Sequence, residues 1–214
     1  SSGTQTASFL ATGLQPWPNR SAISYEWGGS SWTEIAEVNT ARYGAVGLGS
    51  TEAALIGGGY SGINDPKVES FNGTSWTEVS DFNTGSPRER GGCGTLTAGL
   101  AAGGEPPATA DTETWDGSSW TEVNNLNTAN HGLRVCGTQT LALRCGGNGG
   151  VAHTEQWDGT SWTEVNELAE GMQQHGIGGT QTAAVIAGGD SPGITSAGQE
   201  WNFSAFETKQ VTTS

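Results

Sequence analysis

The chain has 214 residues, with 8 Lys and Arg against 22 Asp and Glu and a formal charge of −14. So few cations leave no basic stripe for phosphates, and no run of about eighteen apolar residues is present, so neither nucleic acid nor membrane insertion is expected. Thirty-five glycines, nine tryptophans and 33% hydrophobic residues describe many tight turns held by a few large anchors, which favours β-structure over a helical bundle.

The first residues, SSGTQTASFL, lack a charged segment followed by an apolar one, so the chain is expected to be soluble, with any export signal absent or already removed. From Gly3 the sequence repeats itself five times. The units begin at Gly3, Gly49, Gly94, Gly137 and Gly179, spaced by 46, 45, 43 and 42 residues, and correspond to residues 3–48, 49–93, 94–136, 137–178 and 179–214 of one domain.

Each unit opens on a Gly-Thr-Gln-Thr-like turn and continues into a short apolar run: ASFLATG, AALIGGG, AGLAAGG, LALRCGG and AAVIAGG. These runs are too short and too glycine-bounded for helices and predict buried strands. A loop follows, then an aromatic hairpin: EWGGSSWTEI, SFNGTSWTEV, TWDGSSWTEV, QWDGTSWTEV and the degenerate EWNFSAFETK. Gly, Asn and Asp between the aromatics are the residues a tight turn with positive φ requires. A polar loop and a Gly-rich strand lead into the next unit, so each unit contributes four strands.

A four-stranded antiparallel unit of this length is too thin to bury its own faces and must stack on its neighbours. Arranged radially, such sheets make a β-propeller. Small residues in the strands near the axis and Trp or Phe in the outer hairpin match the widening wedge of a blade. The predicted fold is therefore all-β, a propeller of about five four-stranded antiparallel blades. The inner strand is visible after each of the first four units but not before Gly3 or after the fifth. The expectation is a segment of a longer polypeptide or assembly, with a seam between the Gly3 and Gly179 units.

The double glycine, the aromatic followed by Asp or Asn, the later Trp and the polar loop with Arg42 resemble the Kelch repeat, across all five units. Two features depart from it: the aromatics are five residues apart, and the loop Arg becomes Asn130 and Met172 in later units. The wording GTQTAA, GG, TExWDGTSWTEV and LNTA is similar to Kelch-like repeats in structural proteins of marine bacteriophages, tail-fibre or virion proteins. That resemblance implies a non-enzymatic structural or interaction module in a virion or outside the cell, contacting a host-surface glycan or another virion protein. A cellular Kelch-type scaffold in the cytoplasm, binding a peptide, is the first alternative; a propeller enzyme acting on glycans is the second.

No catalytic residue, cofactor or metal is expected. Cys93, Cys136 and Cys145 are odd in number and lack CxxC spacing, so they read as buried small residues. His131, His153 and His175 fall at different points of their units. Glu34, Glu78, Glu122 and Glu164 occur once per outermost strand and read as solvated edge charges. Glu69, Glu113 and Glu155, two residues before the first aromatic, read as structural partners of backbone or Thr. Asp116 and Asp158 read as turn residues.

Variation concentrates after the double glycine, on the face from which this loop and the inter-blade loop project, while the Gly-Thr and Asp-Gly turns lie opposite. Diverse loops on a rigid scaffold are where recognition resides. The candidate binding residues are Trp17, Arg20, Tyr60, Asp65, Lys67, Glu105, Asp111, His153 and Asp190.

Overall fold

The computed structural model describes residues 2–3, 6–14, 19–85, 88–190, 193, 198–202 and 206–209, and among them every regular element is a β-strand. Blade 1 comprises Ser2–Gly3 (β1), Ser8–Leu14 (β2), Arg20–Trp27 (β3) and Trp32–Ile35 (β4). Blade 2 comprises Val46–Gly49 (β5), Ala54–Gly57 (β6), Val68–Phe71 (β7) and Trp76–Val79 (β8). Blade 3 comprises Gly91–Thr95 (β9), Ala98–Ala102 (β10), Thr112–Trp115 (β11) and Trp120–Val123 (β12). Blade 4 comprises Arg134–Gly137 (β13), Ala142–Cys145 (β14), Thr154–Trp157 (β15) and Trp162–Glu164 (β16). Blade 5 comprises Gly176–Gly179 (β17), Ala183–Ala187 (β18), Gly198–Asn202 (β19) and Phe206–Lys209 (β20).

Each sheet is a four-stranded antiparallel meander, and the first strands β1, β5, β9, β13 and β17 follow one another in contact around the axis of a five-bladed β-propeller. The sheet begins one strand before the sequence unit, because the Gly-Thr turn joins the inner strand to the second. The sequence shows no inner strand before Gly3, yet the structure corrects this. Ser2 pairs with Phe9 and Gly3 with Ser8, so two residues suffice to start the ladder of blade 1.

The repeated glycines answer two local demands. Gly137, at the turn, has φ 110°, and a Cβ there would lie 2.3 Å from the Leu141 carbonyl oxygen. Gly59, the second of its pair, has φ 94°, and a Cβ would lie 2.6 Å from the Tyr43 carbonyl oxygen of the passing inter-blade loop. A side chain at either site meets backbone that cannot yield.

Blades are joined by aromatics and by the turn glutamines. Trp115, Trp157 and Trp201 are each 1% exposed and pack against Leu55, Leu100 and Leu143 of the preceding blade, while their indole N–H groups donate within their own blades to the carbonyls of Leu96, Gln139 and Gln181 at 2.7, 2.9 and 2.8 Å. The glutamine side chains tie one blade to the next: Gln139 of blade 4 donates to the Trp115 carbonyl of blade 3 at 2.6 Å, and Gln181 of blade 5 donates to the Trp157 carbonyl of blade 4 at 2.5 Å. The repeated wording of the Gly-Thr-Gln-Thr turn is thus an inter-blade tie.

In the outer hairpins whose turns are described, those of blades 1 to 4, the positive φ falls on the glycine, 98° at Gly117 and 92° at Gly159. The residue before it acts through its side chain instead. Asp116 Oδ1 accepts the N–H groups of Ser118 and Ser119, both at 2.8 Å, and these donors hold its pKa down to about 2. The three cysteines are free and buried, with desolvation raising each thiol pKa, Cys136 to about 12.

Candidate recognition face

The loops between blades and the loops after the double glycines meet on one face, and they meet in the same way at each junction. Tyr43 bridges Tyr60, Arg88 bridges Glu105 and Gln173 bridges Asp190 through antiparallel backbone pairs, while the Asn148 N–H donates to the His131 carbonyl at 2.7 Å. The residue after the first member is left-handed at every junction: Gly44, Glu89, Gly132 and Gln174 have φ of 66°, 57°, 65° and 53°. These four form a belt. Glu89 N–H donates to the Gly44 carbonyl at 2.8 Å, Gly132 to Glu89 at 3.0 Å and Gln174 to Gly132 at 3.3 Å. The belt holds Glu89 and Gln174, which carry side chains, in a region that costs a non-glycine residue about 1–2 kcal/mol.

A constant backbone therefore presents a different side-chain pair at each junction: two tyrosines, an ion pair, His with Asn, and Gln with Asp. The side chains link sideways. Arg20 lies over the Tyr60 ring, 5.8 Å from its centre, and Tyr60 and Tyr43 rings are 5.4 Å apart at 45°. Tyr43 Oη is 3.4 Å from Arg88 Nη1, and Arg88 Nη2 is 2.5 Å from Glu105 Oε1. His131 Nδ1 lies 3.2 Å from Glu89 and 3.3 Å from Glu105. Burial disfavours the Arg88 cation, but the hydrogen bond and charge of Glu105 outweigh it and raise its pKa.

The arginines divide sharply between scaffold and face. Arg42, Arg90 and Arg144 are buried beside Glu69, Glu113 and Glu155, at 2.9, 2.6 and 3.0 Å. They reach the same place from three backbone positions: the inter-blade loop, the residue just after the left-handed one, and the second strand of the blade. Arg42 Nη1 donates to the carbonyls of Gly58 and Lys67, and Arg144 Nη1 to the matching carbonyls of Gly146 and His153. The preceding blade adds Asn39, Asn83 or Asn127, whose backbone and side-chain N–H groups both bond the same carboxylate. Burial opposes ionisation of Glu113, yet the charge and hydrogen bond of Arg90, with Asn83 and Thr84, hold its pKa below the ordinary value. The other three arginines, Arg20, Arg88 and Arg134, belong to the loop face.

Inside the belt the starts of β5, β9, β13 and β17 enclose an axial cavity of about 630 Å³, lined among others by Glu89, Arg134, Gln174 and His175. Arg134 Nε donates to the His175 carbonyl at 3.0 Å. The His175 ring is 2% exposed, and neither ring nitrogen has a hydrogen-bond partner. Burial, and then the nearby Arg134 charge, lower its pKa from 6.5 to about 4. An unfolded His175 takes a proton near pH 6.5 while the folded one resists until about pH 4, so its contribution is complete above 6.5 and is lost as pH falls through that window. Between pH 7 and pH 5 this amounts to about 2 kcal/mol. His175→Leu should remove this part of the acid sensitivity, since Leu133 fills the equivalent place one blade earlier. Urea unfolding at the two pH values measures it, and an unchanged slope in the variant would place the sensitivity elsewhere.

Of the residues singled out from sequence, Trp17 lies outside the described residues. Arg20, Tyr60, Glu105 and Asp190 are on the face, with Asp190 held by Gln173 Nε2 at 3.4 Å. Asp65 is 5% exposed and accepts the Ser61 hydroxyl and the Lys67 N–H, so it shapes its own loop. Lys67 reaches outward to Glu78 at 2.7 Å, and the Asp111 carbonyl accepts from Arg90. His153 pairs with Glu167 at 3.3 Å at the outer edge of the same face. Sequence reasoning did not select Tyr43, Arg88, Glu89, His131, Arg134 or Gln173. Their common signal is position: five of the six flank or occupy the left-handed site, which glycine marks in only two of the four loops.

Among the described residues, Glu89, Glu105 and His131 bring two carboxylates and an imidazole within 4.8 Å of one another, a donor set a divalent cation accepts. Arg88 already occupies Glu105, so the cluster works first as an ion-pair network. The face thus offers charge, hydrogen-bonding groups and aromatic surface around a cavity mouth. Compared with protein-family models and with curated proteins, the chain matches none.

Proposed function

We propose that the chain is a non-enzymatic interaction module that takes its partner on the loop face, over the mouth of the axial cavity. The observation that carries this reading is the repeated backbone bridge with unlike side chains, set against near-identical turns on the opposite face. A scaffold that repeats its backbone and varies only one face has its information there. Arg20 and Arg88 beside Tyr60 and Tyr43, with Arg134 in the cavity wall, are the residue types that dominate binding hot spots. A sugar ring carrying a carboxylate suits both the aromatic surface and the arginines, as does an acidic, aromatic-rich protein segment.

The resemblance of the repeat wording to structural proteins of marine bacteriophages supports a proposed setting in a phage particle or tail appendage, with a host-surface glycan or another virion protein as the partner. The test is attachment of the labelled chain to a glycan array and to separated virion proteins. Tyr60→Ala with Arg88→Ala should weaken the strongest hit by at least about tenfold, as two hot-spot residues would. Ser118→Ala with Ser119→Ala, on the opposite turns, should leave it unchanged. The reverse pattern would move the binding surface to the hairpin side, and turnover of an array glycan would make the chain an enzyme.

A further inference from the structure

Four junctions inside the chain follow one rule. An apolar residue of a second strand, Phe9, Leu55, Leu100 or Leu143, inserts between that blade and the next. It meets a small residue and aromatics of the following blade: Ala54, Phe71 and Trp76 for Phe9; Ala142, Trp157 and Trp162 for Leu100. All four inserting residues are at most 2% exposed.

Blade 5 carries the same inserting position at Val185, but Val185 is 56% exposed. Blade 1 carries the receiving face, but there Trp32 is 51% and Leu10 is 44% exposed. The corresponding outer tryptophans Trp76, Trp120 and Trp162 are 5–6% exposed. Ala183 and Ala187 flank Val185 on the same open surface. Both halves are open in one molecule, so blade 5 does not cover blade 1 of its own chain.

We infer that these are the two halves of the internal blade junction left without partners, and that a second copy of the chain docks there head to tail, Val185 of one copy on Leu10 and Trp32 of the next. The occupant follows from the interface itself: the surface that Val185 fits by position is the receiving face of a blade, and each copy carries one. The contact is heterologous, so it closes into a ring or extends as a chain of copies according to the rotation per copy. The charge of −14 opposes approach of two copies, and salt screens that repulsion while leaving the apolar contact in place.

Sedimentation of the whole chain tests this, with rising protein concentration at low and high salt. Mass should rise above 22.0 kDa with concentration, and more readily at high salt. Leu10→Arg and Val185→Arg each remove one half, at positions exposed enough to leave folding intact, and a circular dichroism melt checks that. Each variant alone should stay monomeric. Mixed in equal amounts, they should form a dimer and nothing larger, because each supplies the half the other lacks. A wild-type chain that stays monomeric at every concentration and salt overturns the inference. So does self-association by Leu10→Arg alone, which would mean like faces pairing.

Discussion

Arg42→Met should destabilise the propeller by about 3–5 kcal/mol, and adding Glu69→Gln should return most of that loss. The single change leaves the Glu69 carboxylate buried at 1% exposure with its guanidinium partner gone. Three blades solve this site with an ion pair. Blade 5 solves it without charge: Met172 stands where the loop Arg would be, and Gln199 where the Glu would be. Gln199 Oε1 accepts the Ala169 N–H at 2.8 Å, as Glu69 accepts that of Asn39 at 2.6 Å, while its Nε2 donates to the Glu170 carbonyl at 2.9 Å. The double variant copies into blade 2 an arrangement the same chain already uses. Urea unfolding of the two single variants and the double one gives the coupling; additive losses would show that the blade 5 arrangement does not transfer.

The second large effect separates packed from open aromatics. Trp162→Ala should cost about 3–5 kcal/mol, since a buried aromatic is deleted and a cavity remains. Trp162 is 5% exposed, lies 5.4 Å from Trp157 ring to ring, and donates its indole N–H to Thr112 Oγ1 of the preceding blade at 3.1 Å. Trp32 occupies the same hairpin position in blade 1 but is 51% exposed, so Trp32→Ala should cost about 1 kcal/mol or less in dilute solution. Thermal melts of both variants at low protein concentration make the comparison. Equal losses would mean that the blade 1 hairpin is packed after all.

The blades were legible in the sequence because a unit that cannot bury its own faces must repeat its turn glycines and its aromatics at fixed spacing. The electrostatic core was only half legible. Glu69, Glu113 and Glu155 stand in register and read as structural residues, but their arginines come from three unrelated positions. The change from Arg42 to Asn130 looked like a lost residue, whereas Arg144 restores the cation from a strand. Asn130, freed of that role, accepts the N–H groups of His131 and Asn148 and braces the loop.

The loop face was legible in outline. Residues following the double glycine could be found, which brought out Tyr60, Glu105 and Asp190. Their partners across the bridge could not, because a left-handed residue can be Glu or Gln when a backbone belt holds it, so glycine does not mark the position in every loop. Asp65 shows the opposite limit: an acidic residue in a variable loop reads as a contact until its hydrogen bonds to Ser61 and Lys67 are seen.

Backbone hydrogen exchange, measured with and without the glycan or virion protein captured in the attachment screen, tests the central claim most directly. Added protection is expected at Tyr43, Gly44, Tyr60, Arg88, Glu89, Glu105, His131, Gly132, Gln173 and Gln174, with residues 28–31, 72–75, 116–119 and 158–161 unchanged. Protection confined to those four turns, with the cavity mouth unchanged, would contradict it.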